Sequence, residues 1–240
     1  MLDLLYQTAG PAPRPEVCLA ALAACAVVSY LVCGIPFGEI IGKAMGGVDL
    51  RRAGSGNIGT TNALRVAGPK VAALTLLCDV GKGVLCVNLS RAVIAAAAGV
   101  AFWGVVPGAS GDVMLALVCA ACLCGHVFSP YLHFHGGKGI AVGVGVLFAW
   151  FWPQALVHLL IFIALVAATR YVSVGSIVTA AAVPVTTALM VPGASLGAKA
   201  AMSLMGVIAV WAHRTNIKKL LAHKESKLSF HKRTDRMDPR

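Results

Sequence analysis

RRAGSGNIGTTNALR, residues 51–65, holds Gly54, Gly56 and Gly59 in the order G-x-G-x-x-G, with Asp79 following the last of them at about 20 positions, the spacing of a dinucleotide-binding fingerprint. Such a site needs a buried apolar strand before the glycines, a helix after them and a soluble parallel sheet around them. KAMGGVDLRRA, residues 43–53, is no buried strand, and Asp79 lies in an apolar run. The nicotinamide reading therefore fails. What survives is the physics beneath it. Glycines let backbone N–H groups approach an anion, and a following helix offers its N-terminus to negative charge.

The rest of the chain says where that loop sits. Of 240 residues, 58% are hydrophobic and 12% charged, with mean hydropathy +0.83. Soluble domains carry about a quarter charged residues, so this composition excludes a water-soluble domain and implies a single polytopic unit over 1–240. MLDLLYQTAGPAPRPE at the start has no basic segment of the kind that opens a cleaved leader. Apolar runs, set against the about 20 residues a span needs, fall at 17–41, 70–98, 112–128, 139–153, 154–169, 173–191 and 196–213, several of them short or rich in glycine.

Charge placement fixes their count and sense. Lys43, Arg51, Arg52, Arg65 and Lys70 lie in the first connection, Lys138 in the third and Arg170 in the fifth; the tail adds Arg214, Lys218, Lys219, Lys224, Lys227, Lys232, Arg233, Arg236 and Arg240. GVVPGASG, WFWPQ and MVPGASLG between them hold no lysine or arginine. By the positive-inside rule the expectation is an all-α membrane protein of about seven helices, N-terminus outside and C-terminus cytoplasmic. Splitting the long run 70–106 in two would put Lys138 and Arg170 on the wrong side. The net charge of +11 then reflects topology and a tail on anionic lipid, not nucleic acid. CAACLC, with Cys119, Cys122 and Cys124, lacks a second pair at zinc spacing; these read as small thiols packed between helices.

The polar residues fall in the cytoplasmic connections: AGSGNIGTTNALR (53–65), GHVFSPYLHFHGGKG (125–139), RYVSVGS (170–176) and HRTNIKKLLAHKESK (213–227). In the first, Ser55, Asn57, Thr60, Thr61 and Asn62 supply neutral hydrogen-bonding groups beside Gly56 and Gly59, and Arg65 a planar fork suited to phosphate; the alternative is a polar turn with helix caps. In the second, Gly139 stands after Lys138 where a P-loop has serine or threonine, so Walker chemistry is not expected. Gly136, Gly137 and Gly139 around one ammonium still make a phosphate cradle; the alternative for Lys138 is a snorkelling anchor. His126 is a candidate base, and His133 and His135 read as interfacial. Asp79 and Lys82, at i and i+3 in a span, read equally as a structural ion pair or as a wall of the site.

GSGNIGTTNALRVAG, DVGKG, GHVFSPYLHFHGGKG, RYVSVGS and HRTNIKKLLAHKESK, in this order, resemble the bacterial acyl-phosphate:glycerol-3-phosphate acyltransferase family (PlsY) from about residue 35 to 227, leaving 228–240 as a basic tail. Two positions depart from it: His135 replaces a basic lysine or arginine, and His223 a usual glycine. The resemblance implies an inner-membrane enzyme with a cytoplasm-facing site that acylates glycerol 3-phosphate from acyl phosphate, giving lysophosphatidic acid and phosphate in the first acylation of phospholipid synthesis. It implies a soluble acyl-carrier-protein:phosphate acyltransferase as supplier of the donor, and no metal or organic cofactor. On that reading Lys138 and its glycines hold the donor or leaving phosphate. Ser55, Asn57, Thr61, Asn62 and Arg65, with Ser173 and Ser176, form a second anion site. Asn216 and His213 meet the acceptor, Glu225 orients the basic residues, and His126, His213 or a substrate phosphate oxygen takes the proton. The rival from another class is an anion or phosphate transporter, which would place polar groups on both faces or at the midplane.

Overall fold

The computed structural model describes residues 14–109 and 111–228. Lys232, Arg233, Arg236 and Arg240 of the expected tail lie outside them, as do the first 13 residues. Nine α-helices follow in order among the described residues: α1 (Pro15–Gly34), α2 (Phe37–Gly46), α3 (Thr60–Val66), α4 (Pro69–Ala98), α5 (Asp112–Val127), α6 (Ile140–Thr169), α7 (Val172–Met190), α8 (Leu196–Ala212) and α9 (Arg214–Leu221). Prolines start α1 and α4, where the missing N–H is an orphan in any case. The long run 70–106 resolves as the charge pattern requires. One helix, α4, ends on Gly99 at φ 64°, and a 3₁₀ turn at Phe102–Gly104 follows in the connection to α5.

Five elements are long and apolar enough to cross a membrane: Pro15–Gly46, Pro69–Ala98, Asp112–Leu132, Ile140–Thr169 and Val172–Met190; α8 with α9, bent by 52°, makes a sixth. Their outward faces carry Leu77, Leu85, Leu89, Leu160, Leu189, Leu204 and Val207, all exposed, as lipid contact requires. Between helices, small residues let backbones meet. A Cβ at Gly145 would overlap the Val80 carbonyl, one at Gly125 the Tyr30 carbonyl, and one at Gly206 would stand 2.6 Å from the Ala180 carbonyl. These contacts seal α4 to α6, α1 to α5 and α7 to α8.

The two short runs expected at 139–153 and 154–169 form one element, α6, broken at Phe151 (φ −155°, ψ 95°) just ahead of Pro153. Contacts on the two sides of the break run in opposite senses. Gly139 meets Leu123 and Val127 near the end of α5, Gly145 meets Val80, and Ala149 receives Arg91 further along α4. Beyond the break, Gln154 bonds Thr186 and Thr187 late in α7, whereas Phe162 and Val166 meet Gly175 near its start. The chain turns back at Phe151.

The turn has a chemical cost that Arg91 covers. In a helix the Ala149 carbonyl would accept from the N–H of residue 153, and proline has none. The buried Arg91 guanidinium donates to that carbonyl instead, with its other arm on Asn88 Oδ1 and its face on the Phe102 ring. At the opposite end from the polar loops, Asp112 ties α5 to α8 by accepting from Ser195 Oγ (2.7 Å) and Ser195 N (2.8 Å). α9 closes through His223 at φ 55°, the left-handed position where glycine is at ease. This is one of the two residues at which the sequence departs from the resemblance.

Two stability tests follow from these observations. Arg91→Met strands the Ala149 carbonyl and should cost about 1–3 kcal/mol in thermal unfolding in detergent. Pro153→Ala in that background should recover part of the loss, and an additive double mutant would refute the assignment. His223→Gly relieves left-handed strain of about 1–2 kcal/mol, offset by glycine's unfolded-state entropy, so it should be neutral to stabilising. A clear loss of stability would refute the strain.

Candidate active site

A cavity of about 1070 Å³ opens where the polar connections meet the bundle. Its wall includes Ser55, Gly56, Asn57, Gly59, Thr61, Asn62 and Arg65 from the first loop, Asp79 of α4, and His126, Lys138 and Gly139 around the second loop. Ser173 and Ser176 of α7 complete it with His213, Asn216 and Glu225 from the chain's end. Of the residues singled out from sequence, Gly136, Gly137 and Lys82 do not line it. Thr215, Lys219 and Ser226 line it too; nothing separated them from the solvated remainder of the basic segment. An apolar arm of Leu147, Leu159, Phe162, Val183 and Met205 runs between α6, α7 and α8, with His158 and Thr179 in its wall.

The first loop is organised by Asn62, which is 2% exposed. Its Nδ2 donates to the Leu50, Ala53 and Asn57 carbonyls (3.0, 3.1 and 2.8 Å), and its Oδ1 accepts from Ser55 N (2.9 Å). Asn57 Oδ1 accepts from Gly59 N at 2.9 Å, closing a local turn, and Gly56 N donates to Ala53 O at 3.1 Å. The amides of Ser55, Gly56 and Gly59 are therefore spent inside the loop, and the expected role of these glycines as anion donors gives way to a role as bends. Gly54 and Gly56 have φ of 60° and 70°. Asn62 likewise has its polar atoms engaged by the loop. Donors toward the cavity come from the Ser55 and Thr61 side chains, from Arg65, and from Thr60 and Thr61, whose N–H groups open α3 and so lack a helical acceptor. Thr60 Oγ1 is buried with no partner among the described residues.

The second loop rests on a buried ammonium. Lys82, 4% exposed, is ion-paired with Asp79 (Nζ–Oδ1 2.7 Å) and donates from Nζ to the Ile35 carbonyl (2.9 Å) and to His126 Nδ1 (3.2 Å). An ammonium can only donate, so His126 Nδ1 accepts and its proton sits on Nε2. That Nε2 lies against Gly137, where a Cβ would overlap it, and a Cβ at Gly136 would overlap the His126 carbonyl. The Gly136 and Gly137 amides donate to the Val127 and His126 carbonyls, both at 3.0 Å. These two glycines hold the loop down on α5 and have no amide left for an anion, which corrects the expected cradle. His126, with its lone pair taken by Lys82, is no free base; it is a strut. What this loop leaves facing the cavity is Lys138, Gly139 at φ 81°, and the first turn of α6 at Ile140 and Ala141. His133 and His135 are exposed, as expected of interfacial residues.

Residues 213–228 fold back as a strap. Leu228 N donates to the Arg170 carbonyl at 2.7 Å, which carries Glu225 to Asn216; Asn216 Nδ2 donates to Glu225 Oε1 at 2.9 Å. Asn216 Oδ1, Glu225 Oε2 and Ser173 Oγ are buried without a hydrogen-bond partner among the described residues. His213 Nδ1 is 2.8 Å from the Ala209 carbonyl, which can only accept, so the proton is on Nδ1 and Nε2 is the basic nitrogen. Burial pushes the Lys138 ammonium below the ordinary lysine value; Lys219 and Arg65 add to this, and Glu225 opposes it. A cavity with cationic poles, unpaired acceptors and an apolar arm suits a ligand that is part phosphate and part hydrocarbon.

Comparison with known proteins identifies the family. Residues 23–223 match the sequence model of the family described as Glycerol-3-phosphate acyltransferase. The Glycerol-3-phosphate acyltransferase of Roseobacter denitrificans is 38% identical over 214 residues, 89% of this chain and 97% of that one. Its namesake from Desulforudis audaxviator is 40% identical over 219 residues, 89% of this chain and 100% of that one. Crystal structures of PlsY, described as an integral membrane glycerol 3-phosphate acyltransferase, superpose with TM-score 0.73 at 30% identity in a glycerol 3-phosphate form and 0.72 at 29% in a lysophosphatidic acid form, each over 87% of this chain and 96% of that one. The chain is an all-helical integral membrane protein and belongs to the glycerol-3-phosphate acyltransferase family.

Proposed function

We propose that this protein transfers a fatty acyl group from acyl phosphate to the 1-hydroxyl of glycerol 3-phosphate, releasing lysophosphatidic acid and phosphate. One observation supports it above the others: Lys138 and Arg65 face one cavity together with buried, unpaired Ser173, Asn216 and Glu225 atoms. Two phosphates and one hydroxyl-bearing acceptor fit those groups. The wider reading is one membrane unit of seven passes, the two arms of α6 counted separately. Its N-terminus is outside and its site opens to the cytoplasm of a bacterial inner membrane. The transporter alternative wants polar groups on both faces, whereas here they gather at one end.

An acyl phosphate is a mixed anhydride, so no enzyme nucleophile is required. The acceptor oxygen bonds to the acyl carbon, the carbon–oxygen bond to the phosphate breaks, and the phosphate leaves with that electron pair. Lys138 and the N-terminus of α6 hold the leaving phosphate; Arg65, Ser55 and the start of α3 hold the other. Asn216, fixed by Glu225, meets the acceptor, and His213 Nε2 takes its hydroxyl proton. Holding the hydroxyl against the acyl carbon supplies much of the acceleration. The acyl chain lies in the arm between α6, α7 and α8. A soluble acyl-carrier-protein:phosphate acyltransferase supplies the donor.

The decisive assay offers labelled glycerol 3-phosphate with palmitoyl phosphate, palmitoyl-CoA or palmitoyl-carrier protein to the purified protein. Product from acyl phosphate alone is expected, falling by about 10²–10³-fold in Lys138→Ala and in Arg65→Ala. Product from a thioester would break the donor assignment, and no product from folded protein with any donor would sink the enzyme reading. His213→Gln should cost about 10²–10⁴-fold in kcat. His126→Gln should act through loop stability, lowering the unfolding temperature more than kcat at low temperature. Full turnover in His213→Gln would move the proton to a substrate phosphate oxygen.

Lys138 also sets a pH limit. Its charged form binds phosphate, and its lowered pKa means that charge is lost as pH rises, before an ordinary lysine at about 10.4 would lose it. The pH profile of kcat/KM, which reports the free enzyme, should therefore fall on the alkaline side below that value. Lys138→Arg, where active, should lose this limb; an unchanged limb would assign it to another group.

A further inference from the structure

We propose that Cys33, Cys86 and Cys122 form a binding site for a soft monovalent cation of the Cu(I) class, separate from the anion cavity. Their three Sγ atoms come from α1, α4 and α5 and lie within 4.8 Å of one another. Cys33 and Cys122 are fully buried and Cys86 is 6% exposed. None of the three lines the cavity described above. The stretch that looked metal-like in sequence, CAACLC, contributes only Cys122; its partners come from two other helices, which no local spacing could reveal.

Ligand type and number select the ion. Thiols favour soft cations over Mg²⁺ or Ca²⁺. Structural zinc wants four ligands, and no fourth His, Asp or Glu joins this group among the described residues. The nearby carboxylate of Asp79 and Nδ1 of His126 are held by Lys82. Three sulfurs around one ion at a metal–sulfur distance of about 2.3 Å, as for zinc thiolates, are about 4 Å apart, so only a small contraction is needed.

Charge decides how the ion is held. Three thiolates on a monovalent ion would leave two negative charges in an apolar interior, which is costly. The neutral arrangement has one thiol lose its proton to bulk water and form the metal–thiolate bond, while the other two donate sulfur lone pairs as thiols. No electron changes hands. The ion ties together the three helices around Lys82: Cys33 Sγ donates to the Lys82 carbonyl at 3.8 Å, and Cys86 lies one turn beyond Lys82 on α4.

The test titrates Cu(I) into the purified, reduced protein without oxygen, against a colorimetric Cu(I) chelator. One ion per chain is expected, with three sulfur neighbours in copper X-ray absorption. Cys86→Ser and Cys122→Ser should each weaken binding at least about 100-fold, a loss of about 2.7 kcal/mol, while a triple Cys18→Ser, Cys78→Ser, Cys124→Ser variant should bind like the parent. No binding in competition, two sulfur neighbours, parental affinity in Cys86→Ser and Cys122→Ser, or loss in the triple variant would each overturn the site. The absorption measurement uses the unaltered chain, so it decides the matter even where a serine variant fails to fold.

Discussion

The Lys82 ammonium is the point on which the site depends. A charge at membrane depth survives only when it is paired or its protons are taken, and here Asp79 pairs it while the Ile35 carbonyl and His126 accept its hydrogen bonds. Each acceptor belongs to a different part of the fold. Asp79 closes the charge within α4, Ile35 fixes the junction of α1 and α2, and His126 fixes the end of α5. The last link sets the His126 tautomer, and the ring is what Gly136 and Gly137 fold over. Lys138 follows them directly. Removing one partner of a buried pair typically costs about 3–5 kcal/mol. Here that loss would fall on the segment that carries Lys138.

Glycine plays one part throughout, and it is not the one its motifs suggest. In the polar loops the amides of Gly56, Gly136 and Gly137 are spent on backbone carbonyls and that of Gly59 on Asn57 Oδ1, and in the spans glycines meet carbonyls of the facing helix. The residue is used to bring backbones together. The donors for anions come from what that approach leaves at the surface of the cavity: the first turns of α3 and α6, two basic side chains and a few hydroxyls.

Much of this was legible in sequence because it rests on composition and charge placement. The apolar content excluded a soluble domain, and the placement of Lys138 and Arg170 argued for one span, not two, within 70–106, where the structure has the single long helix α4. The clustering of polar residues in four connections located the cavity. What stayed hidden depends on partners far apart in the chain. Pro153 announces a break but not that Arg91 covers the Ala149 carbonyl it strands. The motif HGGKG cannot say that its first two glycines are occupied. Asp79 and Lys82 could be a pair or a wall, and the structure makes Asp79 both, since it binds Lys82 and also lines the cavity. Glu225 reaches Asn216 only because residue 228 pairs with Arg170, a contact with no local signature.

The two ends of the bundle differ in a way that matters for the proposed reaction. At one end Asp112 and Ser195 satisfy each other and leave a closed latch. At the other, Ser173, Asn216 and Glu225 keep buried polar atoms unpaired, at a cost that folding alone does not repay. Unpaired acceptors beside two cations are poor structural design but good preorganisation, because a substrate hydroxyl would donate to the acceptors and two phosphates would pair with the cations without further rearrangement. An activated donor needs no more than this. The catalyst has to gather like-charged substrates and exclude bulk water from the anhydride. A cavity with fixed cations at its mouth and a hydrocarbon arm behind them does both.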